Sequence, residues 1–179
     1  MPWVILAIVI WVVTLLAVPQ ENFRRLVPFG IIAGFGLALL INMLGSSIFG
    51  LWGFRNVVWP ILGIPFWVLL SWVPAVILFV HYLPETSLAR LGWLLLFPVV
   101  FTAIEFLFLR QGLRFFSPDW NLVYSFLLSL GVHILVLSYY LTSVRSPVTS
   151  LSPGWPRREN RHESPGDRET RESPGDRKR

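Results

Sequence analysis

The chain from Trp93 to Tyr140 reads WLLLFPVVFTAIEFLFLR, then QGLRFFSPDWN, then LVYSFLLSLGVHILVLSYY. Two apolar runs of membrane-spanning length flank a short polar connection. A span needs about 20 apolar residues, within a range of roughly 17–25. Glu105 sits inside the first run and His133 inside the second. Ionisable groups are expensive in such segments, and each requires partners.

Working outward, three further apolar runs precede this pair. The expected architecture is an all-α polytopic integral membrane bundle with five transmembrane helices, at about 3–18, 26–44, 60–83, 91–109 and 121–142. Hydrophobic residues make up 54% of the 179-residue chain, more than an ordinary soluble domain carries. The first run is closed by Pro19. A cleaved leader is its competing reading, but no basic residue precedes the run, and Leu15 stands where cleavage needs a small residue. A retained span is therefore expected, with Gln20–Arg25 as the first loop.

In the second run, Gly30, Gly34 and Ala38 fall on one helix face. Small residues at this spacing let another backbone approach closely. Packing within one protomer is the expected use, and a dimer seam the alternative. Gly45–Trp59 is apolar but rich in glycine, and reads as a loop along the membrane surface. The third run contains Pro74, which has no N–H, so the Leu70 carbonyl loses its helical partner and a kink follows. Ser71 lies beside that gap. A break of this kind is usually re-satisfied by neighbours; a binding site at the break is the sharper alternative. Pro118 and Asp119 read as a helix start, with Asp119 as cap.

Seven of the 15 Lys and Arg residues lie in 1–145 and eight in 146–179. The second part holds Glu163-Ser-Pro-Gly-Asp-Arg168, repeated as Glu172-Ser-Pro-Gly-Asp-Arg177. Charges of both signs with Pro and Gly in each unit cannot build a core, so a disordered tail is expected. Its net charge is too small for a polybasic arm, and nucleic acid is not an expected partner. Arg24, Arg25, Arg90, Arg145 and the basic tail weigh against Arg55, Arg110 and Arg114, which places the N-terminus outside and the tail in the cytoplasm.

With no cysteine, and with His81, His133 and His162 far apart, no thiolate or metal-ligand spacing exists. No nucleophile–base pair is visible either, so neither an enzyme nor a cofactor is expected. Candidate intramembrane polar residues are Glu105, Tyr124, Ser125, Asn42 and His133. On this topology Glu105 lies about one turn below the outer surface and His133 near the midplane, roughly 12 Å apart in depth, which disfavours a direct pair. Tyr124, Ser125 and Asn42 are the expected neighbours of Glu105; Ser129 and Ser71 are those of His133. Arg110 and Arg114 lie just beyond Glu105, and Arg110 can snorkel outward. As a hydrogen-bonded packing residue, Glu105 would be replaceable by Gln. The function this favours is a structural or accessory membrane component. The alternative is a small transporter or channel subunit using Glu105 and the Pro74-kinked helix. Expected partners are the lipid bilayer and either a second copy of the chain or another membrane protein.

The pattern Glu105…Gly112…Trp120-Asn121-x-x-Tyr124-Ser125 resembles a family of small uncharacterised multi-span membrane proteins from spore-forming Firmicutes. Those proteins place a Glu late in one span, then a Gly, then Trp-Asn-x-x-Tyr opening the last span. The resemblance covers Phe23 to Tyr140 and leaves out the repeat tail. It implies a multi-span architecture and a bacterial plasma membrane location, and carries no activity with it.

Overall fold

The computed structural model describes residues 2–145; the repeat tail, and with it the expected disorder, lies outside the described residues. Five helices form most of the described chain. The first is Pro2–Ala17, the second Gln20–Ile48, the third Phe66–His81, the fourth Ser87–Arg110 and the fifth Leu122–Val144. The second, fourth and fifth are long and apolar enough to cross a membrane, while the first and third are apolar but only 16 residues each. Much of the apolar surface points outward: Leu16 is 84% and Leu88 83% exposed. An apolar exterior on this scale fits a lipid environment and would be costly in water.

Several helix boundaries differ from those expected. The second helix begins at Gln20, so Gln20–Arg25 is helical and not a loop. Pro19 accounts for this. It is held extended just before the helix, and its carbonyl already accepts the first helical bond, from Phe23 N–H at 2.9 Å. Arg24 and Arg25 are exposed while Leu26 and Phe29 are buried, which is the amphipathic pattern of a helix entering an interface. The second helix widens to π turns over Gly30–Gly36 and Met43–Ile48. At the second junction the Asn42 amide Nδ2 donates to the Ala38 carbonyl at 2.8 Å.

The third helix starts at Phe66, not Pro60. Pro60–Ile61 (β2) and Ile64–Pro65 (β3) form a tight hairpin ahead of it. Leu62 and Gly63 both have left-handed φ, at 53° and 79°, the backbone a two-residue hairpin turn requires. A second strand pair was equally unforeseen. Trp52–Phe54 (β1) runs antiparallel to Arg114–Phe116 (β4), with Trp52 opposite Phe116 and Phe54 opposite Arg114. Gly45–Trp59 is therefore the end of the second helix followed by a strand, rather than a surface loop. At three residues each, these strands are too short to show alternation. Asn121, rather than Asp119, caps the fifth helix: its Oδ1 accepts from the N–H groups of Val123 (2.9 Å) and Tyr124 (3.1 Å). Asp119 lies too early, within the turn closed by Trp120 N–H and the Ser117 carbonyl.

The first three helices pack as one layer, and the fourth and fifth pack on each other as a hairpin. Aromatic rings bridge the two. Trp72 stacks on Phe101 at 4.7 Å, and Phe79 meets Phe97 edge-on at 5.0 Å. The gap at Pro74 is filled within the first layer. Trp11 Nε1 from the first helix donates to the Leu70 carbonyl at 3.3 Å, and Thr14 Oγ1 reaches the Pro74 carbonyl at 3.4 Å. Ser71 donates to Trp67. The carbonyl freed by Pro74 is thus already paired within the layer.

The small-residue face is spent inside the protomer. A Cβ at Gly34 would lie 2.6 Å from the Trp72 carbonyl oxygen, and one at Gly30 would lie 2.9 Å from the Ile77 side chain. At Gly36 the nearest atom would be at 3.6 Å, an ordinary contact. Gly34→Ala therefore forces two backbones apart and is expected to cost on the order of 1–3 kcal/mol. Gly36→Ala is expected to leave stability unchanged or slightly raised. Thermal unfolding of the two purified variants in detergent checks the contrast; equal effects would refute the close approach.

Candidate functional site

Between the two layers lies a cavity of about 150 Å³ lined from all five helices and from β1 and β4. Asn42, Glu105, Ser125 and His133 all line it, together with Ser71, Thr102, Ser129 and Arg114. Four of the five polar residues singled out in the sequence thus share one space. Tyr124 does not: it is 49% exposed and lies against Trp120 on the outer side of the fifth helix.

At the strand end of the cavity, Glu105 Oε1 lies 2.7 Å from Arg114 Nη1. This is a close charge contact and not an aligned hydrogen bond. The partner of Glu105 is therefore the Arg delivered by β4. Arg110 instead lies over the Phe106 ring at 5.2 Å, along the outside of its own helix. Register explains the difference. Pairing of β4 with β1 sets Arg114 opposite Phe54 and turns its guanidinium back over the helix end, among Trp52 (5.3 Å), Phe54 (5.2 Å) and Phe116 (5.8 Å). Aromatic faces attract a cation, more strongly when water is excluded. Burial pulls the Arg114 guanidinium down from its ordinary value, and the Glu105 charge opposes that shift. An arginine remains protonated through shifts of this kind.

Two indole N–H groups extend the network. Trp120 Nε1 donates to Ser125 Oγ at 2.8 Å, and Ser125 in turn interacts with the Glu105 carboxylate. Trp52 Nε1 donates to Asn42 Oδ1 at 3.1 Å. The Trp52 and Trp120 rings are 5.0 Å apart. Trp3 closes the same end, donating to the Arg55 carbonyl at 3.0 Å and meeting Phe54 and Phe108 edge-on. Two glycines make room for this packing. A Cβ at Gly45 would strike the Trp52 ring, and one at Gly53 the Phe115 ring.

His133 lies deeper. Its Nδ1 is 2.7 Å from the Ser129 carbonyl. A carbonyl can only accept, so Nδ1 carries the proton, and Nε2 of the neutral ring is an acceptor. Phe79, Phe97 and Phe101 surround the ring at 5.0–5.8 Å between centroids. No contact joins His133 to Glu105, consistent with their separation along the helices. Among the described residues, no group of three His, Cys, Asp or Glu side chains is placed to hold a metal ion. Thr102 and the indole donors were not visible as members of the site from the sequence, and Arg114 was visible only beside Arg110, with nothing to choose between the two. The aromatic runs Trp52-Gly53-Phe54 and Arg114-Phe115-Phe116, on either side of apolar segments, were the signal that could have paired them.

No protein-family model matches the chain, and neither a curated protein nor a solved structure matches it.

Arg114→Lys preserves the charge but not the planar face that packs among the rings. It is expected to lower stability by about 1–2 kcal/mol, the scale of desolvated cation–π contacts. Unfolding in detergent measures this; a Lys variant as stable as the native protein would show that the rings contribute nothing.

Proposed function

We propose that this chain is a five-span membrane protein of structural or accessory type, whose intramembrane carboxylate holds the architecture instead of carrying protons or solutes. The observation that carries this reading is the Glu105–Arg114 pair. It joins the end of the fourth helix to β4, and through β4 to β1 and the second helix. A transported ion or proton would have to displace Arg114 from its cage at every cycle. At Pro74 the freed carbonyl is already paired, so the break itself offers no free backbone group to a solute.

The five passes are supported by the alternation of helix directions. Trp3 at the start of the first helix contacts the strand end, bonding to Arg55. At the other end Tyr82 Oη donates to the Ala17 carbonyl, and Trp93 Nε1 to the Phe79 carbonyl. The first and third helices span only about 24 Å, and the strand pairs and interfacial tryptophans extend them toward the headgroups. We place the strand end at the outer face of a bacterial plasma membrane. The lack of cysteine makes this directly testable. Single cysteines at Gly50 and Gln111 are expected to react with an impermeant maleimide in intact cells, and those at Gln20 and Glu85 only after lysis. Reaction of all four from one side would overturn the five-span reading.

For Glu105 the expected outcome is a loss of stability. Removing one partner of a buried pair strands the other, at a cost of about 3–5 kcal/mol. Glu105→Gln is expected to lower stability by at least the lower part of that range, and Glu105→Leu combined with Arg114→Leu to recover most of it. A Glu105→Gln protein of native stability that abolished proton-linked uptake in cells would instead establish the transporter reading.

A further inference from the structure

Between Arg55 and Glu85 the chain carries no Asp, Glu, Lys or Arg. The β2–β3 hairpin lies at the start of this stretch, and its inner side is bound into the bundle. Ile64 is fully buried, in one cluster with Ala38 of the second helix and Leu69 of the third. Ala38 lies roughly 10–15 Å before the end of the second helix at Ile48, by helix rise. At the hairpin turn, Ser47 Oγ on the last turn of that helix donates to the Leu62 carbonyl at 2.8 Å. Trp59, just ahead of the hairpin, stacks on Trp67 in the first turn of the third helix, with ring centroids 5.6 Å apart. Its carbonyl accepts from Phe66 N–H at 3.2 Å. The hairpin thus lies alongside the ends of two apolar helices instead of projecting beyond them. Its outer side is apolar and open. Trp59 is 67% and Leu62 60% exposed, both with left-handed φ, at 54° and 53°. Such positions favour Gly and Asn, and large side chains occupy them at a cost. Leu44 and Ile48, beside Ser47 on the second helix, are exposed as well.

Water would hydrate two large apolar side chains held at strained positions. A turn carbonyl facing water also needs no hydroxyl from a neighbouring helix. Lipid offers the backbone no partner, so polar groups there are paired from within. The Leu62 and Trp59 carbonyls are so paired, and Pro60 and Pro65 have no N–H to satisfy. Length points the same way. The third helix spans about 24 Å, against a hydrocarbon core of about 30 Å. With its far end at the opposite boundary, its first turn and the Trp59 ring beside it fall within that core. Tryptophan is also the side chain that concentrates near the membrane–water boundary. We infer that the segment 59–65 is immersed in the lipid leaflet at the strand end, where it completes the third pass in place of a further helical turn and sets Trp59 and Leu62 against acyl chains. The inference rests on the membrane reading of the domain proposed above, but not on which face of the membrane the strand end occupies.

The chain has no cysteine, so Leu62→Cys and Trp59→Cys variants of the full chain each carry a single nitroxide label. Both side chains are largely exposed, so a label there displaces no core packing. The labelled proteins are placed in vesicles of phosphatidylcholine and phosphatidylglycerol. Power-saturation EPR then compares collisions with oxygen, which concentrates among acyl chains, and with a water-soluble nickel chelate. Leu40→Cys, at an exposed apolar position of the second helix, sets the lipid end of the scale, and Gln111→Cys, just past the fourth helix, the aqueous end. Labels at 59 and 62 are expected to favour oxygen, as at 40, while the label at 111 favours nickel. A nickel preference at 59 or 62 would show a water-exposed hairpin and overturn the inference. Few collisions with either reagent would show a protein surface covering it, a second copy or a partner, and would overturn it equally. Failure of the membrane reading itself is read separately, as loss of the oxygen preference at 40. Oxygen preference at 40 with nickel preference at 62 sinks the hairpin inference alone.

Discussion

A carboxylate and a guanidinium mostly withdrawn from the surface at one end of a helical bundle, with side chains 11% and 19% exposed, must neutralise each other, and much of that end of the protein is arranged so that they can. Glu105 lies near the end of the fourth helix; Arg114 arrives four residues beyond that helix, on a strand. The strand is held in register by β1, and β1 is held by Trp52 bonding back to Asn42 in the second helix. Loss of either partner alone would leave an unpaired charge in a mostly desolvated site, which is costlier than loss of a surface salt bridge. The aromatic cage around Arg114 offsets part of the desolvation that the single charge contact cannot. A pair so enclosed acts as a latch between the two helix layers.

The same rule, that polar groups in lipid must be satisfied from within, governs the rest of the interior. Pro74 frees a carbonyl, and an indole from the first helix pairs with it. Helical hydroxyls turn back onto their own backbones. His133 donates to its own helix amid aromatic rings. Against that background Thr102 and Ser129 stand out because their hydroxyl oxygens are shut off from the surface yet make no hydrogen bond to the protein. The layered construction explains why a cavity lies between the layers: they meet through large rings, and rings at fixed contact points leave gaps between them.

Much of this was legible in the chain, because apolar length, proline and small-residue spacing are local signals. The five apolar runs, the intraprotomer use of Gly30, Gly34 and Ala38, and the separation of His133 from Glu105 in depth followed from them. What was hidden depends on partners distant in sequence. Trp52-Gly53-Phe54 becomes a strand only because Arg114-Phe115-Phe116 lies beside it, sixty-odd residues away. Arg110 and Arg114 cannot be ranked as partners of Glu105 without that register. Tyr124 immediately precedes Ser125, about 100° away around the helix, so the phase that turns Ser125 inward sends Tyr124 outward. The Gln20–Arg25 segment read as a loop because its charges obscured an amphipathic helix start.

The central claim is that residues 105 and 114 act as one energetic unit. A double-mutant cycle between Glu105→Leu and Arg114→Leu, read by reversible unfolding in detergent, measures that coupling directly. The account predicts a coupling of at least about 1.5 kcal/mol, in the range found for close buried charge pairs. Additive single effects, with coupling near zero, would contradict it and leave the strand cap and the helices as independent parts.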